Sequence, residues 1–414
     1  MSVPLKQLPP PHPPPPPPPP PPQHVAPATV LAPASTTTWT TTAVGDLLNA
    51  KPTKLPETCY IFCDRKGFPW DAENDSELDG EVARRRILDP FEVPSFLSTK
   101  ECVIHNGYFG CQPSYNDNSG KLNKMSTWFR ILVKMLLENG ERTPDGKSYV
   151  WYEMAFFTRW EAPNKHRILC VDVPDGFRKG LKNALEMNPP KLVDPFALHT
   201  ALIDEIVKLQ DRSVWRLRNP VRSIEKKREK QGVKAVNFST MHEVSRHAIH
   251  ISEVLAVTTD TFENLLRHIT ALYGTGTDLP ATLTKTDRHQ ALEHLSFQVQ
   301  MIKSLKLRND SNYERLKSEV QVAYNTIAQQ DNTVMKSIAL LTMLFLPATF
   351  VSAFFSTTFF NFGDDKVWRV TGKIWIYVVV TVPVTVLSLY IWRLWVGGGL
   401  RKEKFKLKRS SSRV

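Results

Sequence analysis

The sequence has few cysteines and few glycines for its length. Its 414 residues include five cysteines without paired spacing, which excludes a disulfide scaffold and fits a reducing compartment. The 18 glycines form no phosphate-binding loop and no nucleophile elbow. We find no apolar core after a basic start and therefore expect no signal peptide. Because no acid–base or nucleophilic constellation is found either, the sequence predicts a protein that is not an enzyme and needs no cofactor.

Proline is abundant only near the N-terminal end. Sixteen of the 32 prolines precede residue 34, and Pro13–Pro22 is an unbroken run, which predicts a stiff polyproline II rod. The following Ala26–Thr42 is rich in threonine and small residues, as is typical of a flexible linker. Residues 1–45 are therefore predicted to be a disordered tail. The proline run has two interpretations, a ligand for an SH3- or WW-type partner and a low-complexity tail.

Residues 46–193 carry the signals of a cytosolic mixed α/β domain. Strands are predicted at Cys59–Cys63, Tyr149–Phe157 and Arg167–Val173, each of which is rich in β-branched or aromatic residues. Apolar residues within Met125–Glu138 recur at helical spacing, which predicts a helix between the first two strands.

Residues 194–336 are predicted to be helical. One helix is expected to end near Arg218 and a second to cover Thr240–Tyr273. The basic stretch Arg216–Lys234 between them is predicted to be an exposed connection. It lacks the interleaved aromatics on which bases would stack, so we expect no nucleic-acid partner.

A third helix, from about 285 to 336, contains two series of residues spaced by seven. The series are Leu292, Val299, Lys306, Tyr313, Val320, Ile327 and Val334, and Leu295, Ile302, Asn309, Leu316, Ala323 and Gln330. This seam is typical of a coiled coil and predicts symmetric association of several copies. No proline occurs between Pro280 and Pro347, so this stalk helix is expected to continue into the next segment.

Two long apolar segments follow. Residues 337–360 carry no charge, and residues 374–396 carry only Arg393; each is long enough to cross a bilayer core. The loop at 361–372 has no net charge, whereas the tail at 397–414 is strongly basic. The positive-inside rule therefore predicts a multi-pass membrane protein with two spans and both termini in the cytosol. The basic tail can anchor this topology or also hold anionic membrane lipid.

Histidines give a weak metal signal. His242 and His247 are five residues apart, so they lie on different faces of a helix. His247 and His250 can share a face, but no third ligand is evident.

The first span has one face of small and polar residues. Its members are Asn332, Met335, Thr342, Leu346, Thr349, Ala353 and Ser356. Spacings of three, four or seven keep these residues on one face. Such a stripe is compatible with close helix packing and with a pore wall whose hydroxyl and amide groups hold the hydration water of an ion.

The order of these features resembles the CorA family of magnesium transporters, and especially its fungal CorA-like members. A stalk helix leads into Leu346-Pro347-Ala348-Thr349-Phe350 in the first span, and a short acidic loop, a second span and a basic tail follow. The resemblance implies a homo-oligomer, specifically a pentamer. It also implies that the first span lines the pore and that the second lies outside that ring.

The resemblance implies roles for particular residues. Thr349 falls on the pore threonine of the family, Asn332 on a polar pore position, and Met335 and Leu346 on apolar gate positions. The family ends its first span in Gly-Met-Asn, which meets the hydrated ion at the outer mouth. Three residues replace that motif here, and two acidic residues follow in the loop. They are Ser356, Thr357 and Thr358, and Asp364 and Asp365.

The sequence therefore predicts an α+β membrane protein whose cytosolic α/β domain is joined by a stalk helix to the first of two C-terminal transmembrane helices. One hypothesis is a channel or transporter for magnesium or another divalent cation. The alternative is a membrane-anchored scaffold that has lost transport and acts through its cytosolic domain. The stripe favours the first, and the replaced motif and the proline-rich tail favour the second.

Overall fold

The computed structural model describes residues 27–35, 38–46, 56–64, 77–138, 140–231, 237–275, 279–280, 282–362, 368–370, 372 and 375–410. The chain divides into two compact units, Met1–Glu319 and Val320–Val414. Pro13–Pro22, Asp364 and Asp365 lie outside the described residues.

A seven-stranded mixed sheet forms the centre of the first unit. Its strands are β1 (Pro27–Pro33), β2 (Trp39–Asp46), β3 (Cys59–Cys63), β4 (Gly107–Tyr115), β5 (Leu122–Leu136), β6 (Tyr149–Glu161) and β7 (Lys165–Val171). Their order in the sheet is β2-β1-β3-β7-β6-β5-β4. The pairing of β3 with β7 is parallel, and all other neighbours in this sheet are antiparallel.

Helices cover both faces of this sheet. They are α1 (Glu77–Leu88), α2 (Lys100–Ile104), α3 (Asp175–Met187), α4 (Ala197–Gln231) and α5 (Phe238–Thr275). The long α6 (Lys285–Phe359) contacts α4 and α5 and runs on into the second unit. On one face, Ile61, Phe157 and Leu169 pack in a core with residues of α1 and α2. On the other face, the Tyr60 hydroxyl donates to the Leu198 carbonyl in α4 at 2.9 Å, and the Phe156 ring packs on Phe177 of α3.

The strands predicted around Cys59, Tyr149 and Arg167 are confirmed, but the helix predicted at Met125–Glu138 is wrong, because this segment is β5. Almost every residue of β5 is buried. A strand covered on both faces loses the alternation of apolar and polar residues, and its apolar positions can then imitate a helical period.

The flexible linker predicted at Ala26–Thr42 is also wrong, since β1 and β2 occupy most of it. Leu31 and Trp39 are buried, and the Trp39 ring lies 5.9 Å from the Tyr60 ring. Threonine and valine suit a pleated strand, so composition alone concealed a β-hairpin that joins the sheet.

The exposed connection predicted at Arg216–Lys234 is largely helical, because α4 continues through Pro220 to Gln231. Two ion pairs join this half of α4 to α6. Arg315 Nε donates to Glu225 Oε1 at 2.8 Å, and Arg228 Nε donates to Glu319 Oε2 at 2.5 Å. These contacts hold the part of α4 that follows Pro220 against α6.

The prediction of one uninterrupted helix from about 285 into the first apolar segment is confirmed, since α6 has 75 residues. The heptad seam, however, is covered within the chain over much of its length. Leu295, Ile302 and Leu316 are buried in the first unit, and the Asn309 amide donates to the Ala248 carbonyl in α5 at 3.0 Å. This part of the seam is therefore an internal packing surface and is not free to meet another copy.

Together, the mixed α/β unit and the long helix that continues into the first of two apolar helices confirm the predicted fold class.

Candidate ion pathway

The second unit contains two helices that are long and apolar enough to cross a membrane. The first is the C-terminal part of α6, and the second is α7 (Trp375–Ser410). The Tyr377 hydroxyl in α7 donates to the Ala348 carbonyl in α6 at 3.2 Å. Val351 and Thr381 are buried, whereas most of the described side chains of the two apolar segments are exposed in the single chain.

The seven residues of the predicted stripe all lie on α6 and are all exposed. At 100° per residue they fall in a sector of about 120° around the helix axis. Val351, by contrast, is buried. The stripe therefore forms a continuous face that the described residues of this chain leave accessible.

Hydroxyl groups on the stripe donate their protons to their own helix. Thr342 Oγ1 donates to the Ile338 carbonyl at 2.8 Å, and Thr349 Oγ1 lies 3.0 Å from the Phe345 carbonyl oxygen. Ser356 Oγ donates to the Ala353 carbonyl at 3.2 Å. A hydroxyl has one proton and two lone pairs, so these three oxygens retain acceptor capacity. Acceptors without a free proton are suited to a cation or to the hydration water around it.

A short hairpin connects the two helices. Strands β8 (Phe360–Phe362) and β9 (Trp368–Val370) are antiparallel and pair Phe360 with Val370. The predicted loop at 361–372 is thus partly ordered by strand pairing. Thr357 and Thr358 fall in the last turn of α6, and the two acidic residues of the predicted mouth lie outside the described residues.

His247 and His250, which gave the weak metal signal, lie on α5. His250 Nδ1 lies 2.7 Å from Lys134 Nζ and can accept a hydrogen bond from it. Among the described residues, no group of three or more histidine, cysteine, aspartate or glutamate side chains could hold a metal ion.

Sequence reasoning missed Lys134, a lysine that is buried in β5. Its Nζ lies 4.2 Å from the centre of the Tyr149 ring and 5.0 Å from that of Trp151, and burial, with a smaller contribution from Arg246, lowers the Lys134 pKa to about 8. Trp151 is its direct partner across β5 and β6. The aromatic run of β6 was visible in the sequence, but its register with β5 could not be read while β5 was assigned as a helix.

Comparison with known proteins identifies similar chains. A family model described as "CorA-like Mg2+ transporter protein" matches residues 171–396. Notoamide biosynthesis cluster protein M' of Aspergillus versicolor is 28% identical over 271 residues, which is 58% of this chain and 58% of that relative. The chain thus matches little more than half the length of this relative.

Two solved structures share the fold. The full-length CmaX protein matches with a TM-score of 0.54 and 13% identity, over 89% of this chain and 98% of that one. The CorA magnesium transporter of Methanocaldococcus jannaschii matches with a TM-score of 0.52 and 11% identity, over 88% and 97%. At these identities the structures demonstrate a common architecture and leave the activity open.

Proposed function

The chain belongs to the CorA-like Mg2+ transporter family, and on that premise we propose that it conducts a divalent cation, with Mg2+ as the first candidate, along the stripe of α6. The exposed face of Thr342, Thr349 and Ser356, whose hydroxyl protons are engaged within the helix, carries this proposal. Hydroxyl oxygens that can only accept are suited to the positive charge of an ion and to its water shell.

A pathway of this kind needs several copies, because one stripe cannot enclose an ion. Met335 and Leu346 are 67% and 63% exposed in the single chain, and a ring of first spans would cover them. We propose a homo-oligomer, and a pentamer by resemblance to the family. Phe297 and Met301, which share an exposed face of α6, offer further apolar surface for association outside the buried seam.

Ion recognition would rely on outer-shell contacts. Magnesium loses its water reluctantly and usually keeps several water ligands in protein sites. That water would donate hydrogen bonds to Thr349, Ser356 and Asn332. The outer mouth would be formed by Thr357, Thr358, Asp364 and Asp365. Apolar Met335 and Leu346 would narrow the pathway and gate it by excluding water.

We test transport with the purified full chain in liposomes that contain a magnesium-sensitive dye. Wild-type protein should admit Mg2+. Thr349→Val keeps the shape and removes the hydroxyl, so uptake should fall by up to about tenfold, which corresponds to about 1.4 kcal/mol on the barrier. Thr385→Val is the matched control, because Thr385 makes the same hydrogen bond to its own helix in α7 and should keep wild-type uptake.

The scaffold hypothesis remains as a second function, since Ser356-Thr357-Thr358 replaces the Gly-Met-Asn of the family. Restoring Gly-Met-Asn should raise Mg2+ uptake if the chain forms a channel, whereas three alanines at these positions should not. Light scattering and flotation with liposomes establish that each variant is oligomeric and inserted. Absence of uptake by the wild type and the restored variant, in inserted oligomers, would reject the channel and favour the scaffold.

A further inference from the structure

We propose that a cavity in the first unit, separate from the ion pathway, binds a small organic anion with an apolar body. The cavity has a volume of about 380 Å³ and lies between the end of β5, the connection to β6, α4 and α5. This volume is within the range of small-molecule sites. Leu136, Leu137, Pro220 and Val244 provide apolar wall, and Arg142, Arg216 and His247 are among the polar groups.

His247 is the strongest indication of a ligand site. Its side chain is 2% exposed, and neither ring nitrogen has a hydrogen-bond partner among the described residues. Glu243 Oε1 is 3.7 Å from His247 Nε2, which is too long for a hydrogen bond. Buried polar groups are nearly always paired, so this imidazole, which lines the cavity, is suited to a ligand atom.

The charged groups around the cavity favour an anion. Arg142 Nη1 donates to the Gly146 carbonyl at 2.8 Å, and within the described part of the chain Arg142 forms no ion pair. Arg216 Nη1 donates to the Leu136 carbonyl at 3.0 Å. Each guanidinium therefore retains donors, and two such groups can bind a carboxylate or phosphate group.

The surroundings of the cavity add further positive charge. Burial, followed by the charge of Lys134 and opposed by that of Glu243, lowers the His247 pKa to about 4. Lys134 itself is hydrogen-bonded to His250, and among the described residues it has no bond to a carboxylate. Arg246 lowers the pKa of both Lys134 and His247, so two basic side chains lie near a histidine that stays neutral at pH 7.

Two carboxylates also line the cavity, but neither is confined there. Glu138 and Glu243 are each 48% exposed. Glu243 accepts from the Ser148 hydroxyl at 2.9 Å, and Glu138 lies 3.7 Å from Arg216 Nε. Both can turn toward solvent, whereas His247 cannot. Arg216 would then exchange a long contact with Glu138 for a direct contact with the ligand.

The test is calorimetric titration of the full chain in lipid nanodiscs with phenyl phosphate, phenylacetate and inorganic phosphate. Wild-type protein should bind phenyl phosphate or phenylacetate saturably below about 10 mM, and the tighter of the two identifies a phosphate ester or a carboxylate as the anionic group. Arg142→Gln removes an exposed cation of the cavity and should weaken binding at least tenfold. Arg85→Gln removes an exposed arginine of α1 away from the cavity and should change affinity less than twofold.

Three outcomes would overturn the proposal. The first is that wild-type protein binds neither aromatic probe saturably, and the second is that Arg142→Gln binds them with the same affinity as wild type. The third is that inorganic phosphate binds as tightly as phenyl phosphate, because the apolar wall would then have no role. Because the assay measures binding in the absence of an ion gradient, its result is independent of whether the α6 stripe conducts.

Discussion

Two buried histidines make the stability of the first unit depend on pH. His166 Nε2 donates to the Leu192 carbonyl at 2.7 Å, and His199 Nε2 lies 2.8 Å from Thr127 Oγ1. Burial lowers the pKa of His166 to about 4 and that of His199 to about 3. Between pH 4 and 6.5 the unfolded chain therefore binds more protons than the folded one. The stabilisation is complete above pH 6.5 and is lost as the pH falls.

We predict that these two groups together contribute a slope of about 2.5 kcal/mol per pH unit to the free energy of unfolding near pH 5. His166→Gln retains a donor for the Leu192 carbonyl but does not titrate, so it should remove about half of that slope. Pulse proteolysis of the full chain in urea, at pH values between 4.5 and 6, measures it.

The control is His105→Gln at an exposed position, where the wild-type slope should be retained. An unchanged slope in His166→Gln would contradict the assignment of a buried neutral imidazole. Other titrating groups affect all three proteins equally and cancel in the comparison.

At the scale of elements, the stalk helix has two kinds of seam position. Leu316 is buried in the first unit, whereas Ile327 is 40% exposed. Leu316→Asp places an unpaired charge in a packed core and should lower the free energy of unfolding of the first unit by about 4 kcal/mol. Ile327→Asp should leave that unit folded and weaken only the association of copies.

Limited proteolysis of the first unit and light scattering of the oligomer separate these effects. If Leu316→Asp left proteolysis unchanged and dissociated the oligomer, the seam would be a contact between subunits after all. That outcome would restore the interpretation suggested by the heptad spacing.

The sequence predicted some elements well and others poorly, for identifiable physical reasons. The continuity of α6 followed from the absence of proline, and the stripe around Thr349 followed from spacing alone. The heptads were real, but periodicity does not reveal whether the partner of a seam is another copy or α5 of the same chain. Strand β5 was misassigned because both of its faces are covered, and β1 and β2 because threonine-rich composition resembles a linker.

The cavity beside His247 could not be predicted from the sequence. It is assembled from β5, the β5–β6 connection, α4 and α5, and two of those four segments were assigned differently. Once β5 is a strand and α4 a continuous helix, Arg142 and Arg216 approach the same space. Tertiary arrangement therefore decides this site, and no local motif marks it.

For the whole molecule, the distribution of basic residues predicts orientation in the membrane. Residues 401–413 contain seven basic residues and one acidic residue, whereas 361–372 has no net charge. We expect a cysteine introduced as Asp364→Cys to react with an impermeant thiol reagent on intact cells, and one introduced as Ser411→Cys to react only after permeabilisation. The reverse pattern would reject the orientation.

The background for this labelling is favourable. Cys59, Cys63, Cys102 and Cys170 are buried. Cys111 is partly exposed and can be replaced by serine beforehand. Labelling that persists without either introduced cysteine would identify the native thiols as its source.

The β1–β2 hairpin has a practical consequence for anyone who shortens this chain. Deletion of residues 1–26 removes none of the described strands, but deletion of 1–46 removes β1, which pairs with β3, and β2, which pairs with β1. The five residues of β3 are all buried, so its unpaired backbone and apolar side chains would become an open edge, which is a template for aggregation.

Size-exclusion chromatography should give a single peak for the shorter deletion and void-volume aggregate for the longer one. A monodisperse product from both would mean that the hairpin is dispensable for solubility.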